Sequence, residues 1–330
     1  MKPTRPNGHE RVDIHALITD QIVTAIEAGA GTFKMPWHRE HGALHFPRNI
    51  STGKPYQGIN ILTLWVVGER RNYSAPIWGT FKQWLDAGYP VRKGEKSVTG
   101  VFYKDLTFSE ENAETGETVD KKVGMARAFP LFNCAQVEGY TAPTAEAFTP
   151  AAFETHARVD ALIAASGADI VYGGDRAFYA PGPDRIAIPE KERFTGTETM
   201  SAAEAFEATR LHEMVHWSGA ETRLDRGFGA RFGDKSYAFE ELIAELGAAY
   251  LCAQLGVTPI ARPDHAQYLA GWLAVMKEDK KAIFTAAGQA QRAATYLMAF
   301  APPAPEPELD PVRPESMPMD SSPGDDPAPC

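Results

Sequence analysis

Leu211-His212-Glu213-Met214-Val215-His216-Trp217 decides how this chain is read. Two histidines four residues apart fall on one face of a helix, close enough to share a metal ion. Glu213 between them can reach a metal-bound water and act as general base. The flanks read as one helix over 202–218. Ser201-Ala202-Ala203-Glu204 is a capping-box pattern at its start, and Gly219 sits where it should stop. A chain of this composition shows the motif by chance about once in fifty. A salt-bridged helix surface without metal is the competing reading of the motif alone.

A third donor comes from the next helical pattern, 236–255. In Glu240-Glu241-Leu242-Ile243-Ala244-Glu245 the acids 241 and 245 share a face. Catalytic zinc takes three protein ligands and keeps one position for water. A Glu followed by a second acid one turn later resembles the arrangement of glutamate-ligand zincins, in which the first acid binds the metal and the second orients a ligand histidine. On that resemblance Glu241 joins His212 and His216 as ligand, and Glu245 stands outside as the orienting acid. Glu240 points about 100° away and is the alternative ligand. Two His and one carboxylate favour Zn2+ over an iron–sulfur centre. Iron remains open on ligand type, but Glu213 favours hydrolysis, here of a peptide amide. Arg176–Pro181 and Asp184–Pro189 are expected as edge strands of the cleft, able to bind an extended peptide. Tyr179 is a candidate oxyanion donor, although packing is the commoner role for such a residue.

Outward from this centre the chain divides. Helices are expected over 151–165 and, in one or more pieces, over 265–298, with short strands at 170–172 and 185–188. Together they make a mostly helical domain, 150–298, with a small edge sheet. A Pro/Ala/Thr-rich linker, 141–149, precedes it. Residues 1–140 read as an α+β domain: a helix over 12–29 with Asp13 as N-cap and Gly29 as stop, then short apolar runs broken by Gly and Pro. The polar stretch 109–122 is expected as a hairpin loop or insertion. The fold class is therefore α+β. The end of the chain, 299–330, is expected to be a disordered acidic tail; of its last thirty residues ten are proline and seven acidic.

Composition sets limits on function. The chain has 330 residues, three cysteines and a formal net charge of −10. Three widely spaced cysteines rule out a disulfide framework and fit a reducing, cytoplasmic compartment. No apolar run is long enough to span a membrane. The charge is uneven: residues 1–105 carry a balance of +5 and the remainder −15. A basic front half on an acidic protein suggests a polyanionic partner.

Aromatic and basic residues interleave through that front half, as they do where unpaired bases stack and phosphates are tracked. The candidates for binding single-stranded DNA are Lys34, Trp37, Arg48, Lys54, Tyr56, Trp78, Lys82, Trp84, Arg92, Lys93 and Lys96. For any one Trp, core packing is the commoner role. Arg92-Lys93-Gly94-Glu95-Lys96 reads as a solvated turn before a strand.

Longer motifs carry a family resemblance. They include Pro47-Arg48-Asn49, Thr52 to Asn60 (TGKPYQGIN), Thr80-Phe81-Lys82-Gln83-Trp84, Val91 to Lys96 (VRKGEK) and Phe132 to Gly139 (FNCAQVEG). Beyond these lie Leu211 to Trp217, Arg223-Leu224-Asp225-Arg226, Phe239 to Leu246 and Lys277 to Ile283. The chain resembles, over 12–298, the ArdC-type antirestriction proteins of conjugative plasmids, themselves similar to the N-terminal region of TraC-type plasmid primases. The resemblance implies a single-stranded-DNA-binding domain joined to a zincin-like metallopeptidase domain, and protection of incoming plasmid DNA from host restriction. It names no protein substrate; host restriction machinery is a candidate partner. The alternative is a protein that coats single-stranded DNA around a structural or vestigial zinc site. A third, weaker reading has the acidic regions mimic DNA.

Overall fold

The computed structural model describes residues 13–29, 45–111, 118–142, 152–196, 200–227, 235–257 and 265–303. Lys34, Trp37, most of the expected linker and the chain from 304 onward lie outside these residues.

The first helix, α1 (Ile14–Gly29), starts where Asp13 caps it. Asp13 Oδ1 accepts the backbone N–H groups of His15 and Ala16 at 2.9 and 3.2 Å. A mixed four-stranded sheet follows, built from β1 (Arg48–Asn49), β2 (Ile77–Gly79), β3 (Val98–Glu111) and β4 (Thr118–Asn133). Its order is β1-β2-β4-β3, with β1 parallel to β2 and the other pairs antiparallel. Helices α2 (Ile59–Arg70) and α3 (Phe81–Asp86) interrupt the strands. The ladder of β3 and β4 runs in register from Val98↔Leu131 to Glu111↔Thr118. The expected loop at 109–122 is therefore mostly paired strand. Backbone pairing satisfies its polar main chain whatever the side chains are.

The second half opens with α4 (Ala152–Ser166) and a three-stranded sheet, β5 (Asp169–Tyr172), β6 (Phe178–Ala180) and β7 (Arg185–Ile188). The order β5-β7-β6 makes β7 the middle strand. The expectation that 184–189 forms an edge is corrected: β5 pairs with β7 in parallel and covers it, leaving β6 as an outer strand. Helices α5 (Ala202–Ser218), α6 (Lys235–Leu255), α7 (His265–Glu278) and α8 (Ala282–Met298) complete the described chain.

Helix α5 has the bounds its capping residues demand. Ser201 Oγ accepts the Glu204 N–H at 3.2 Å, and Glu204 Oε2 accepts the Ser201 N–H at 2.9 Å. The helix is buried on almost every face because α6, α8 and the small sheet surround it. Gly247 lets α6 come close: a Cβ there would lie 2.9 Å from both methyls of Val215. One apolar cluster takes in Ile18, Ile22 and Ile26 of α1, Ile61 and Leu62 of α2, and the inner faces of α5 to α8. Helices α1 and α2 thus belong to the same core as the later helices. Polar ties reinforce this: Tyr250 donates to the Gly58 carbonyl at 3.1 Å, and Thr19 to that of Lys280 at 2.7 Å. No helix among the described residues is long and apolar enough to cross a membrane.

Candidate metal centre

His212 and His216 project from successive turns of α5 toward α6. Their Nε2 atoms stand 3.2 Å apart. Glu241 faces both, with Oε2 3.6 Å from His212 Nε2 and Oε1 3.6 Å from His216 Nε2. Donors of a tetrahedral ion bonded at about 2.0–2.1 Å sit roughly 3.3 Å from one another. The three side chains therefore already have the spacing of a ligand set, and among the described residues they form the one such group. Two imidazole nitrogens and one carboxylate oxygen suit Zn2+, Mn2+ or Fe2+. Glu213 is buried on the same helix, between the two ligand positions.

Each histidine has an acid behind it. Glu245 Oε2 is 3.9 Å from His212 Nδ1, on the face expected for it. Glu240 Oε1 is 3.3 Å from His216 Nδ1. The sequence left Glu240 as the alternative ligand. Here Arg226 holds it: Nη2 donates to Oε1 at 2.8 Å and Nε to Oε2 at 3.1 Å. Spacing along α6 puts Glu240 off the Glu241 face; its partner Arg226 ends the motif 223–226 in the preceding loop, but no periodicity pairs the two.

Charge in the cluster follows from these contacts. Burial works against a charged His216, yet hydrogen bonds to Glu240 and Glu241 and the nearby carboxylates win and hold the imidazole up at about 10. Burial alone would raise Glu241; hydrogen bonds from His212 and His216 outweigh it and keep the carboxylate far below its ordinary value. Glu240 is lowered too, with burial overcome by His216 and Arg226.

The backbone geometry is shared with a solved protein. The antirestriction ArdC protein of plasmid R388, in its metal-free crystal structure, superposes with a TM-score of 0.69 at 37% identity, over 87% of this chain and 97% of that one. The chain belongs to the ArdC family. The Mn(II)-bound structure of the same relative gives a TM-score of 0.67 at 34% identity, over 87% and 98% of the two chains. Residues 12–132 match the N-terminal domain of anti-restriction factor ArdC, and 157–289 match a zincin-like metallopeptidase family. The protein y4eC of Sinorhizobium fredii is 41% identical over 290 residues, 87% of this chain and 92% of that relative. Two DNA primases TraC of Escherichia coli are 34% and 31% identical, but the match spans only 27% and 20% of their length.

In this ArdC-family chain the residues proposed for DNA fall into distinct groups. Trp78 and Trp84 are 1% and 0% exposed. Trp84 donates its indole N–H to the Phe132 carbonyl at 2.9 Å, and Trp78 packs with Leu64, Val98 and Leu131. Neither ring can stack a base, because each closes a small core between a short helix and the sheet. Tyr56 is half-buried, its hydroxyl hydrogen-bonded by Asn49 at 3.0 Å; burial pushes the phenol up to about 12. Arg92 is a clasp: it donates to the carbonyls of Val137 and Ala135 and pairs with Glu95. Arg48 donates to the Gly53 carbonyl at 3.0 Å. Lys82 is exposed and paired with Asp86 at 2.7 Å. Lys54, Lys93 and Lys96 are exposed.

Among the described residues of the N-terminal half, the exposed aromatics are instead Phe81 and Phe102, at 51% and 45%. The readable signal for Phe102 is its alternation with buried Val101 on β3. Tyr179 donates its hydroxyl to Asp184 at 2.7 Å and accepts from Arg223 at 3.2 Å. That fixes β6 to the loop after α5.

Proposed function

We propose that this chain is an antirestriction protein that binds single-stranded DNA through its N-terminal half and hydrolyses a peptide bond in a protein substrate at a zinc ion held by His212, His216 and Glu241. One observation carries the reading: three donors at 3.2 to 3.6 Å, with Glu213 buried on the helix that bears both histidines, in a chain that matches an antirestriction ArdC protein over nearly its whole length. Manganese is the competing ion, since the R388 relative has a Mn(II)-bound structure.

A metal held by His212, His216 and Glu241 would supply Lewis acidity for the hydrolysis. Glu213 would be the general base, taking a proton from the attacking water and returning it to the leaving amine. Glu240 holds the His216 imidazole at Nδ1, and Glu245 stands 3.9 Å from Nδ1 of His212. Outer strand β6, packed against α5, offers its free edge to an extended peptide. For DNA, Lys54, Lys93 and Lys96 supply charge, and Phe81 and Phe102 supply faces on which bases stack. Incoming plasmid DNA and host restriction machinery are the proposed setting, in the cytoplasm.

The test is Glu213→Ala in the full-length protein, with plasmid transfer into a restricting host as readout. The expected outcome is metal content like wild type and loss of protection. Protection unchanged by the substitution would contradict proteolysis and leave coating of the strand as the mechanism.

A further inference from the structure

A buried ion pair stands just outside the three donors. Arg226 and Glu240 have side chains only 2% and 8% exposed. The guanidinium grips both carboxylate oxygens of Glu240, at 2.8 and 3.1 Å. Its remaining donors reach Ser218 Oγ at 2.9 Å and the Val215 carbonyl in the last turns of α5. Glu240 in turn holds His216 Nδ1. One side chain from a loop thus ties the helix bearing the histidines to the helix bearing the carboxylates. The loop is shaped for it: Arg226 N–H donates to the Gly219 carbonyl at 3.0 Å, and Asp225 takes a left-handed φ of 47° to fold the chain back under α5.

We propose that Arg226 and Glu240 act together as positioning residues for the metal centre. Glu240 fixes the His216 ring so that Nε2 faces His212 and Glu241. Arg226 holds Glu240 on the Nδ1 side of the His216 ring, while Glu241 faces the two Nε2 atoms. This inference rests on the metal-binding reading above. Its chemistry is general: a carboxylate on one ring nitrogen sets the tautomer that leaves the other nitrogen free to bind. Only a planar fork holds both carboxylate oxygens in one orientation. Glu240 meets the His216 ring directly, so the couple bears on His216.

The experiment uses full-length protein, Glu240→Gln, Arg226→Met and the double variant. Zn(II) affinity is read by competition with a chromophoric chelator, the Co(II) site by visible absorption, and helix content of the metal-free proteins by circular dichroism. Each single change is expected to weaken Zn(II) binding about 10- to 100-fold and to move the Co(II) bands. The double variant should lose no more than the worse single. Wild-type affinity with unmoved Co(II) bands in Glu240→Gln would overturn the proposal, as would losses that multiply fully in the double variant. Glu240→Gln preserves shape and decides alone if Arg226→Met loses helix content. Wild-type protein that takes up neither Zn(II) nor Co(II) would overturn the metal-binding reading itself.

Discussion

About 100° of helix rotation separates Glu240 from Glu241. That rotation decides which carboxylate meets the two imidazoles and which meets Arg226. Spacing on α6 was enough to put Glu241 and Glu245 on one face. It could not reveal Arg226, which lies across a loop, where no periodicity encodes contact. The two tryptophans make the same point in the opposite direction. A Trp beside a Lys at intervals of two or three reads alike on a DNA surface and on a short amphipathic helix. Trp84 is seated against Gly79, where an added Cβ would lie 3.0 Å from the indole nitrogen. Trp84→Ala should accordingly cost about 3–5 kcal/mol of stability, measured by denaturant unfolding; an unchanged midpoint with weakened DNA binding would show a surface role instead. Lys93→Glu with Lys96→Glu should do the reverse. Anisotropy of a labelled single strand should show weaker binding and a shallower salt dependence, with the unfolding midpoint held within about 0.5 kcal/mol. Wild-type DNA binding by that pair would remove the turn from the DNA surface.

Among elements, α5 was the most legible, because its ends are written in side chains: a capping box at Ser201 and a Gly after Ser218. The neighbouring α6 was legible in extent but not in how close it lies. That distance is set by Gly247 against Val215. Alanine at 247 gains up to about 1 kcal/mol in helix propensity. It also brings a methyl within 2.9 Å of two branched methyls, neither of which can turn away without moving the other. Overpacking of this kind costs about 1–3 kcal/mol, so Gly247→Ala should lower the thermal midpoint and weaken metal uptake together. A raised midpoint with wild-type uptake would show that the two helices have slack. The far end of the β3–β4 hairpin, 109–111 and 118–122, was the least legible. Its acidic, polar sequence reads as a loop, whereas a ladder needs only backbone groups in register.

Across the whole molecule, the sequence separated a basic front, 1–105, from an acidic remainder, whereas the family matches divide the chain further along, into 12–132 and 157–289. What composition could not show is that α1 and α2 enter the same apolar cluster as α5 to α8. Lys280 reaches back to Asp20 and Lys277 to Glu27, both at 2.6 Å, across that junction. Cutting the chain near residue 140 would leave Ile18, Ile22, Ile61 and Leu62 facing water, so the intact chain is the right material for experiments on either half. The central claim is that this joined structure presents one metal site at His212, His216 and Glu241. It is tested most directly by dialysing full-length wild type and His216→Ala against Zn(II) and weighing bound metal by elemental mass spectrometry. The account predicts one ion per wild-type chain and nearly none in the variant; equal metal in the two proteins, whether high or low, would contradict it.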